Sequence, residues 1–209
     1  MTKILSSKDP ETLKIASGIL KNGGTVVFPT ETVYGVGALL DDDNAIKHIY
    51  EIKGRNFDKP LLIHISKMAH VFDLSRYVSD KVSDLMKTFW PGSLSIVLEA
   101  SCAVPRSAIS YGYTVGFRMP SNKFFRDLSA LVGPIAATSA NLSGQKDPLT
   151  CTDAYNYLKD LVDLYVDDGP VEKGLPSTVI DMTVNPPKIL RIGAISVEEI
   201  EKVIGKVNS

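Results

Sequence analysis

Short apolar runs closed by proline or glycine alternate with amphipathic stretches along almost the whole chain, and this alternation most limits what it can fold into. Residues 25–28 read as a buried strand stopped by Pro29, and 114–119 as another stopped by Pro120. Residues 33–40, 61–65, 94–98, 134–137, 164–166, 177–182 and 189–192 have the same character. Between them lie helix patterns. Asp9-Pro10-Glu11 offers a capping acceptor, a first-turn proline and an acid at the positive end of the dipole. Leu13, Ala16, Ile19 and Leu20 follow on one face, and Gly23-Gly24 stops the turn. Ser79 opens a helix to Phe89 with Val82, Leu85, Met86 and Phe89 on its stripe. Further helices are expected over 44–52, 122–131 and 152–159, and from Val197. The alternation, with a few strand–strand neighbours, predicts an α/β domain on a mixed parallel/antiparallel sheet. No repeat or linker interrupts the 209 residues, so one domain over 1–209 is expected.

Composition narrows the function classes. A net charge of −1 argues against binding nucleic acid by bulk charge, although a local basic cleft is compatible with it. The cysteines, Cys102 and Cys151, have neither disulfide-framework nor zinc spacing. No apolar run approaches the roughly 20 residues of a membrane span. The N-terminus lacks a secretory pattern, so a cytoplasmic protein without a membrane partner is expected.

Polar residues with no folding task sit beside the expected strands. Thr30-Glu31-Thr32-Val33-Tyr34-Gly35-Val36-Gly37 follows the first strand, where open α/β sheets hold ligands. The plain alternative is a capped turn with Glu31 exposed. Lys53-Gly54-Arg55, followed by Lys59-Pro60-Leu61 and His64, places two cations around a glycine and suits an anion such as a triphosphate. Taken alone, it reads better as a solvated helix C-terminus. His64, inside an apolar strand, taken alone reads as a hydrogen-bonded core histidine. Ala137-Thr138-Ser139-Ala140-Asn141-Leu142-Ser143-Gly144 follows the 134–137 strand with donors for a phosphate or sugar, or as a simple turn. Arg118 and Arg191 end strands, where a buried arginine needs an anion. Phosphate-loop, dinucleotide, metal-ligand and nucleophile-elbow motifs are all absent from the sequence.

In this order, the clusters resemble the YrdC-type L-threonylcarbamoyladenylate synthases. The resemblance rests on residues 23–35, Lys53-Gly54-Arg55, Pro60-Leu61 with His64, Trp90-Pro91-Gly92 and Arg118-Met119-Pro120. It continues through Ser139-Ala140-Asn141, Ser177-Thr178 and Leu190-Arg191-Ile192-Gly193, almost end to end. It implies a twisted mixed sheet with a concave positive face, of the kind associated with double-stranded RNA binding. The implied reaction joins L-threonine, bicarbonate and ATP into threonylcarbamoyl-AMP and pyrophosphate. That product supplies threonylcarbamoyl-adenosine in tRNA through downstream threonylcarbamoyl-transferase proteins. By the same resemblance Lys53, Arg55, Thr114, Ser139, Asn141 and Arg191 line the ATP side. Thr32, His64, Arg118, Ala137 (through its backbone) and Ser177 hold threonine. Mg2+ accompanies the phosphates, bound by ATP and water rather than by a protein cage. No general base is assigned. Asp147 stands where many relatives carry serine and is set aside, because a carboxylate beside phosphate is unfavourable unless it faces Mg2+, a ribose hydroxyl or solvent. Leu175-Pro176 replaces a more polar pair. The chain end suggests the short form of the family, without a further C-terminal domain. The competing reading is an RNA-binding or ribosome-associated module that contacts tRNA or double-stranded RNA.

Overall fold

A computed structural model describes residues 2–208. The elements run β1 (Lys3–Ser6), α1 (Pro10–Lys21), β2 (Val26–Phe28), β3 (Gly35–Leu39), α2 (Asp43–Lys53), β4 (Leu62–His64), α3 (Ala69–Leu74) and α4 (Asp80–Phe89). They continue with β5 (Leu94–Glu99), β6 (Thr114–Arg118), α5 (Lys123–Val132), β7 (Ile135–Ser139), α6 (Cys151–Leu158), β8 (Leu164–Asp167), β9 (Thr178–Asp181), β10 (Lys188–Arg191) and α7 (Val197–Ile204).

Helix starts follow local chemistry. Asp9 accepts from the Glu11 amide, Ser79 from Val82, Asn122 from Phe125, and Thr150 and Ser196 each close a capping box. Three elements depart from the pattern read in the sequence: the short helix α3, which no expected helix covers, and two strands. The strand β1 escapes periodicity because its residues are mostly exposed, and it is held by parallel pairing with β8. The strand β7 extends through Ser139, two residues past its expected end, because Gly35 and Val36 of β3 pair with Ser139 and Thr138.

All strands join one ten-stranded sheet in the order β1-β8-β2-β3-β7-β4-β6-β5-β9-β10. Parallel pairs (β1/β8, β8/β2, β4/β6, β5/β9) mix with antiparallel ones, as the alternation of elements predicts.

The strand period of two sorts side chains between two cores. Val27, Ile63, Ile96, Phe117, Ala136 and Tyr165 face a large cluster built with α2, α4, α6 and α7. Val26, Phe28, Ile135, Ala137, Leu164 and Val166 face a smaller one under α1 and α5. Those two helices pack on each other over the β8–β2–β7 part of the sheet. Beyond them, the same face carries Leu62, His64, Ser95, Gly116 and Arg118, the strand positions opposite the large core. This helix-free stretch becomes the floor of the site.

Gly37 shows how close the layers run. A Cβ there would lie 2.6 Å from Ile135 Cγ2, 2.9 Å from Phe28 Cε1 and 3.0 Å from the Ala136 carbonyl. Overpacking of this kind costs about 1–3 kcal/mol, so Gly37→Ala should lower stability by that amount in urea unfolding. A change within about 0.5 kcal/mol would mean that the β2–β3–β7 layer yields freely.

Candidate anion and amino-acid site

The helix-free face holds a cavity of about 660 Å³ of unfilled space, continuous with solvent. Strand residues form its floor: Gly35 of β3, Leu62 and His64 of β4, Arg118 of β6, and Ala137, Thr138 and Ser139 of β7. Arg55, Asp147, Ser177 and Arg191 close its sides. Seven residues singled out from the sequence therefore meet in one place: Arg55, His64, Arg118, Ala137, Ser139, Ser177 and Arg191.

Arg118 is 3% exposed and Glu31 4% exposed, and they form an ion pair of 2.7 Å. Arg118 Nη2 donates to Glu31 Oε1 and to Thr32 Oγ1, each at 2.7 Å, and Nε donates to the Gly92 carbonyl at 3.2 Å. Glu31 also accepts from Ser93 Oγ and from the Ser121 amide, each at 3.0 Å. The exposed-turn reading of Glu31 is therefore wrong, because its carboxylate is the counter-ion that lets β6 end on a buried arginine. Arginine has five N–H donors, and these bonds use Nε and Nη2; the Nη1 edge is left for a cavity ligand. Burial acts to raise the Glu31 pKa, but Arg118 and the hydrogen bonds outweigh it and hold it below the usual carboxylate value.

His64 stacks edge-on against Phe125 at 5.5 Å and Phe28 at 6.1 Å. Burial, then the Arg118 charge, lowers its pKa far enough to keep the ring neutral. The expected core hydrogen bond is missing: Nδ1 is buried without a partner among the described residues, while the ring borders the cavity. A neutral imidazole beside a free guanidinium edge suits a small ligand that both donates and accepts.

The residues expected on the nucleotide side divide. Arg55 Nε and Nη2 are steadied by the Lys59 and Pro60 carbonyls, both at 3.0 Å. Arg191 donates to the Ser177 carbonyl and to Ser177 Oγ, both at 3.0 Å, and Ser177 Oγ meets Ser95 Oγ at 2.8 Å. Burial lowers the Arg191 pKa; Asp147 counters this, while Arg118 and Arg55 add to it. An Arg191 repelled by Arg118 and Arg55, beside a single lining carboxylate, makes a site that an anion stabilises.

Four expected ligands lie off the cavity wall. Thr32 is fully buried and supports Arg118. Asn141 spends its amide inside its own turn, donating to the Gln145 carbonyl at 2.6 Å and accepting from Ser139 Oγ at 2.6 Å. Lys53 is 2% exposed, not a solvated helix end, and donates to the Ser139 carbonyl, the Asn141 carbonyl and Asn141 Oδ1. Thr114 shares its face of β6 with Arg118 but lies two pleats away, bordering a separate depression with Arg76, Glu99 and Tyr113. Conversely, Asp147 lines the cavity despite being set aside, and Ser95 was missed. The signal for Ser95 was a hydroxyl within the otherwise apolar run Leu94-Ser95-Ile96.

The ion pair has a pH signature. Since the folded-state pKa of Glu31 is depressed, its contribution is present above the unfolded value, near 4.5, and is lost as pH falls through the folded one. Urea unfolding from pH 7 to 3 should show wild type losing stability below about pH 4.5, with a shallower loss in Glu31→Gln. Arg118→Met, which strands the carboxylate, should cost about 3–5 kcal/mol at neutral pH. Equal pH slopes for wild type and Glu31→Gln would refute this account of Glu31.

The family model Sua5/YciO/YrdC, described as "Telomere recombination", matches residues 18–193. A threonylcarbamoyl-AMP synthase of Pyrococcus abyssi is 43% identical over 93% of this chain, and a putative one of Mycobacterium tuberculosis 35% identical over 98%. The chain spans 58% of the first and 96% of the second; it also spans 60% of a Bacillus subtilis threonylcarbamoyl-AMP synthase, 39% identical. Among solved structures, P. abyssi Sua5 complexed with L-threonine superposes over the whole chain, 62% of its own length, with a TM-score of 0.95 and 40% identity. Escherichia coli YciO superposes over 96% of the chain and all of its own length with a TM-score of 0.86 and 26% identity. By the extent of these matches and the order of its cavity residues, this chain belongs to the Sua5/YciO/YrdC family.

Proposed function

We propose that this chain condenses L-threonine, bicarbonate and ATP into threonylcarbamoyl-AMP, releasing pyrophosphate. The observation that carries the reading is the convergence of Arg55, Arg118 and Arg191 on one cavity beside a neutral histidine with an orphaned Nδ1. The L-threonine bound to a relative with this fold, and the synthase names of relatives, support it.

In this scheme the threonine carboxylate takes the free Nη1 edge of Arg118, while the His64 ring and Ser177 Oγ meet its polar groups. The amine and bicarbonate give a carbamate with loss of water. A carbamate oxygen then attacks the α-phosphorus of ATP and the bond to pyrophosphate breaks, which makes the enzyme a nucleotidyltransferase. Every reactant is anionic, so the site's work is to hold like charges together and to stabilise charge developing on the phosphoryl oxygens. Arg55 and Arg191 are placed for the phosphates.

Mg2+ enters as part of the nucleotide. Among the described residues, no group of three or more acidic, histidine or cysteine side chains could hold a metal. Asp147 is the one cavity carboxylate that such a cation would meet. The product would feed the threonylcarbamoyl modification of tRNA through separate transferase proteins in the cytoplasm. No described helix is long and apolar enough to cross a membrane.

The direct test incubates the protein with ATP, L-threonine, bicarbonate and Mg2+ and follows threonylcarbamoyl-AMP and pyrophosphate; folded protein yielding neither would overturn the proposal. Arg191→Ala should weaken ATP binding roughly tenfold or more while the fold persists, because its side chain borders the cavity rather than the core. Thr32→Val removes an acceptor from Arg118 and should raise the threonine KM more than the ATP KM. Equal shifts in both would refute the division of the cavity.

A further inference from the structure

Lys53 is the one cation of the site that does not reach the cavity wall. Its side chain is buried at the end of α2, and its ammonium donates to the Ser139 carbonyl, the Asn141 carbonyl and Asn141 Oδ1, the last at 3.2 Å. An ammonium has three hydrogens, and this turn supplies three acceptors, so none is left for a ligand. The grip also runs in the other direction: the Ser143 amide donates to the Lys53 carbonyl at 2.9 Å. Asn141 then ties Ser139 Oγ on one side to the Gln145 carbonyl on the other, both at 2.6 Å. Residues 139–145 thus wrap around a single charge. Without it, three oxygen dipoles would converge on an empty buried point, each losing its partner.

The end of α2 also sets the opposite wall. Gly54 caps α2 in the left-handed region at φ 54°, turning the chain so that Lys53 points inward while Arg55, two residues on, borders the cavity.

We infer that Lys53 is a positioning residue for nucleotide binding, which shapes the 139–145 turn and joins it to Arg55 without touching the ligand. This rests on the proposed nucleotide reading of the cavity. Burial and the Arg55 charge push the lysine down to about 7, with Asp147 opposing. The charged groups around it are Arg55 and Asp147, both on the cavity wall.

The test compares wild type, Lys53→Met, Lys53→Arg and Asn141→Ala as full chains. ATP–Mg2+ and L-threonine are titrated separately by calorimetry, and amide hydrogen exchange is followed in the ligand-free protein. Lys53→Met should weaken ATP binding roughly tenfold or more, change threonine binding less than about threefold, and speed exchange across 139–145, at Ser143 above all. Lys53→Arg should not restore ATP binding, because a planar fork cannot present donors to three oxygens grouped around one nitrogen. Asn141→Ala should loosen the same amides, and the double variant with Lys53→Met should be no worse than the worse single. If Lys53→Met does not fold, Asn141→Ala with its exchange readout decides the question alone. Unchanged exchange in either single variant, or full rescue by arginine, would return Lys53 to direct phosphate contact and overturn the inference. Wild type that binds no ATP would sink the nucleotide reading instead, and the exchange experiment would still report whether Lys53 holds the turn.

Discussion

A guanidinium buried at the end of a central strand is tolerable only with a fixed counter-ion, and Glu31 supplies it for Arg118. The pair draws four segments together. Glu31 and Thr32 come from the β2–β3 connection, Gly92 and Ser93 from the entry to β5, Arg118 from β6, and Ser121 from the entry to α5. Because each end is held by several hydrogen bonds, the low dielectric that penalises a lone charge here strengthens the network. Its geometry also leaves one edge of Arg118 unspent and fixed in direction. A structural ion pair thereby doubles as the back wall of a binding site.

The rest of the site follows from an imbalance between the two faces of the sheet. The helices α2, α4, α6 and α7 cover one face, whereas α1 and α5 cover only part of the other. The exposed half of that face must carry polar residues, and the strand period places His64, Arg118, Ser139 and Ser95 there. Arg55 and Arg191 then close in from elements far apart in sequence. The repulsion that Arg118 and Arg55 exert on Arg191, which Asp147 opposes, gives the site a preference for anionic ligands before any ligand arrives. Catalysis by positioning needs this kind of preorganisation, since an array of fixed charges has little to rearrange when phosphoryl charge develops.

Two cation roles thus coexist. The arginines face outward from carbonyl anchors (Lys59 and Pro60 for Arg55, Ser177 for Arg191) and keep donors for a ligand. Lys53 faces inward and spends its hydrogens on the protein. The difference matches their chemistry. A planar fork can be held by one edge and offer the other, whereas a compact ammonium ringed by oxygens is a fastener.

The sequence by itself determined what depends on neighbours along the chain. Capping residues such as Asp9, Ser79 and Ser196, the apolar periods, and Gly54 at a helix end all act within a few residues. The mixed sheet was legible from them, and so was the set of clusters, because their order along the chain is itself sequence. What each cluster does was not legible. Glu31 fits an exposed turn and Lys53 a solvated helix end until Arg118, 87 residues from the first, and Asn141, 88 from the second, are brought against them. Thr114 and Arg118 look equivalent along β6, yet one borders a different depression and the other the cavity. Asp147, unfavourable beside phosphate on local grounds, gains its place from Arg191 and Lys53, which reach it only through the folded sheet. Burial and charge pairing are sums over residues remote in sequence, so only the tertiary structure could decide them.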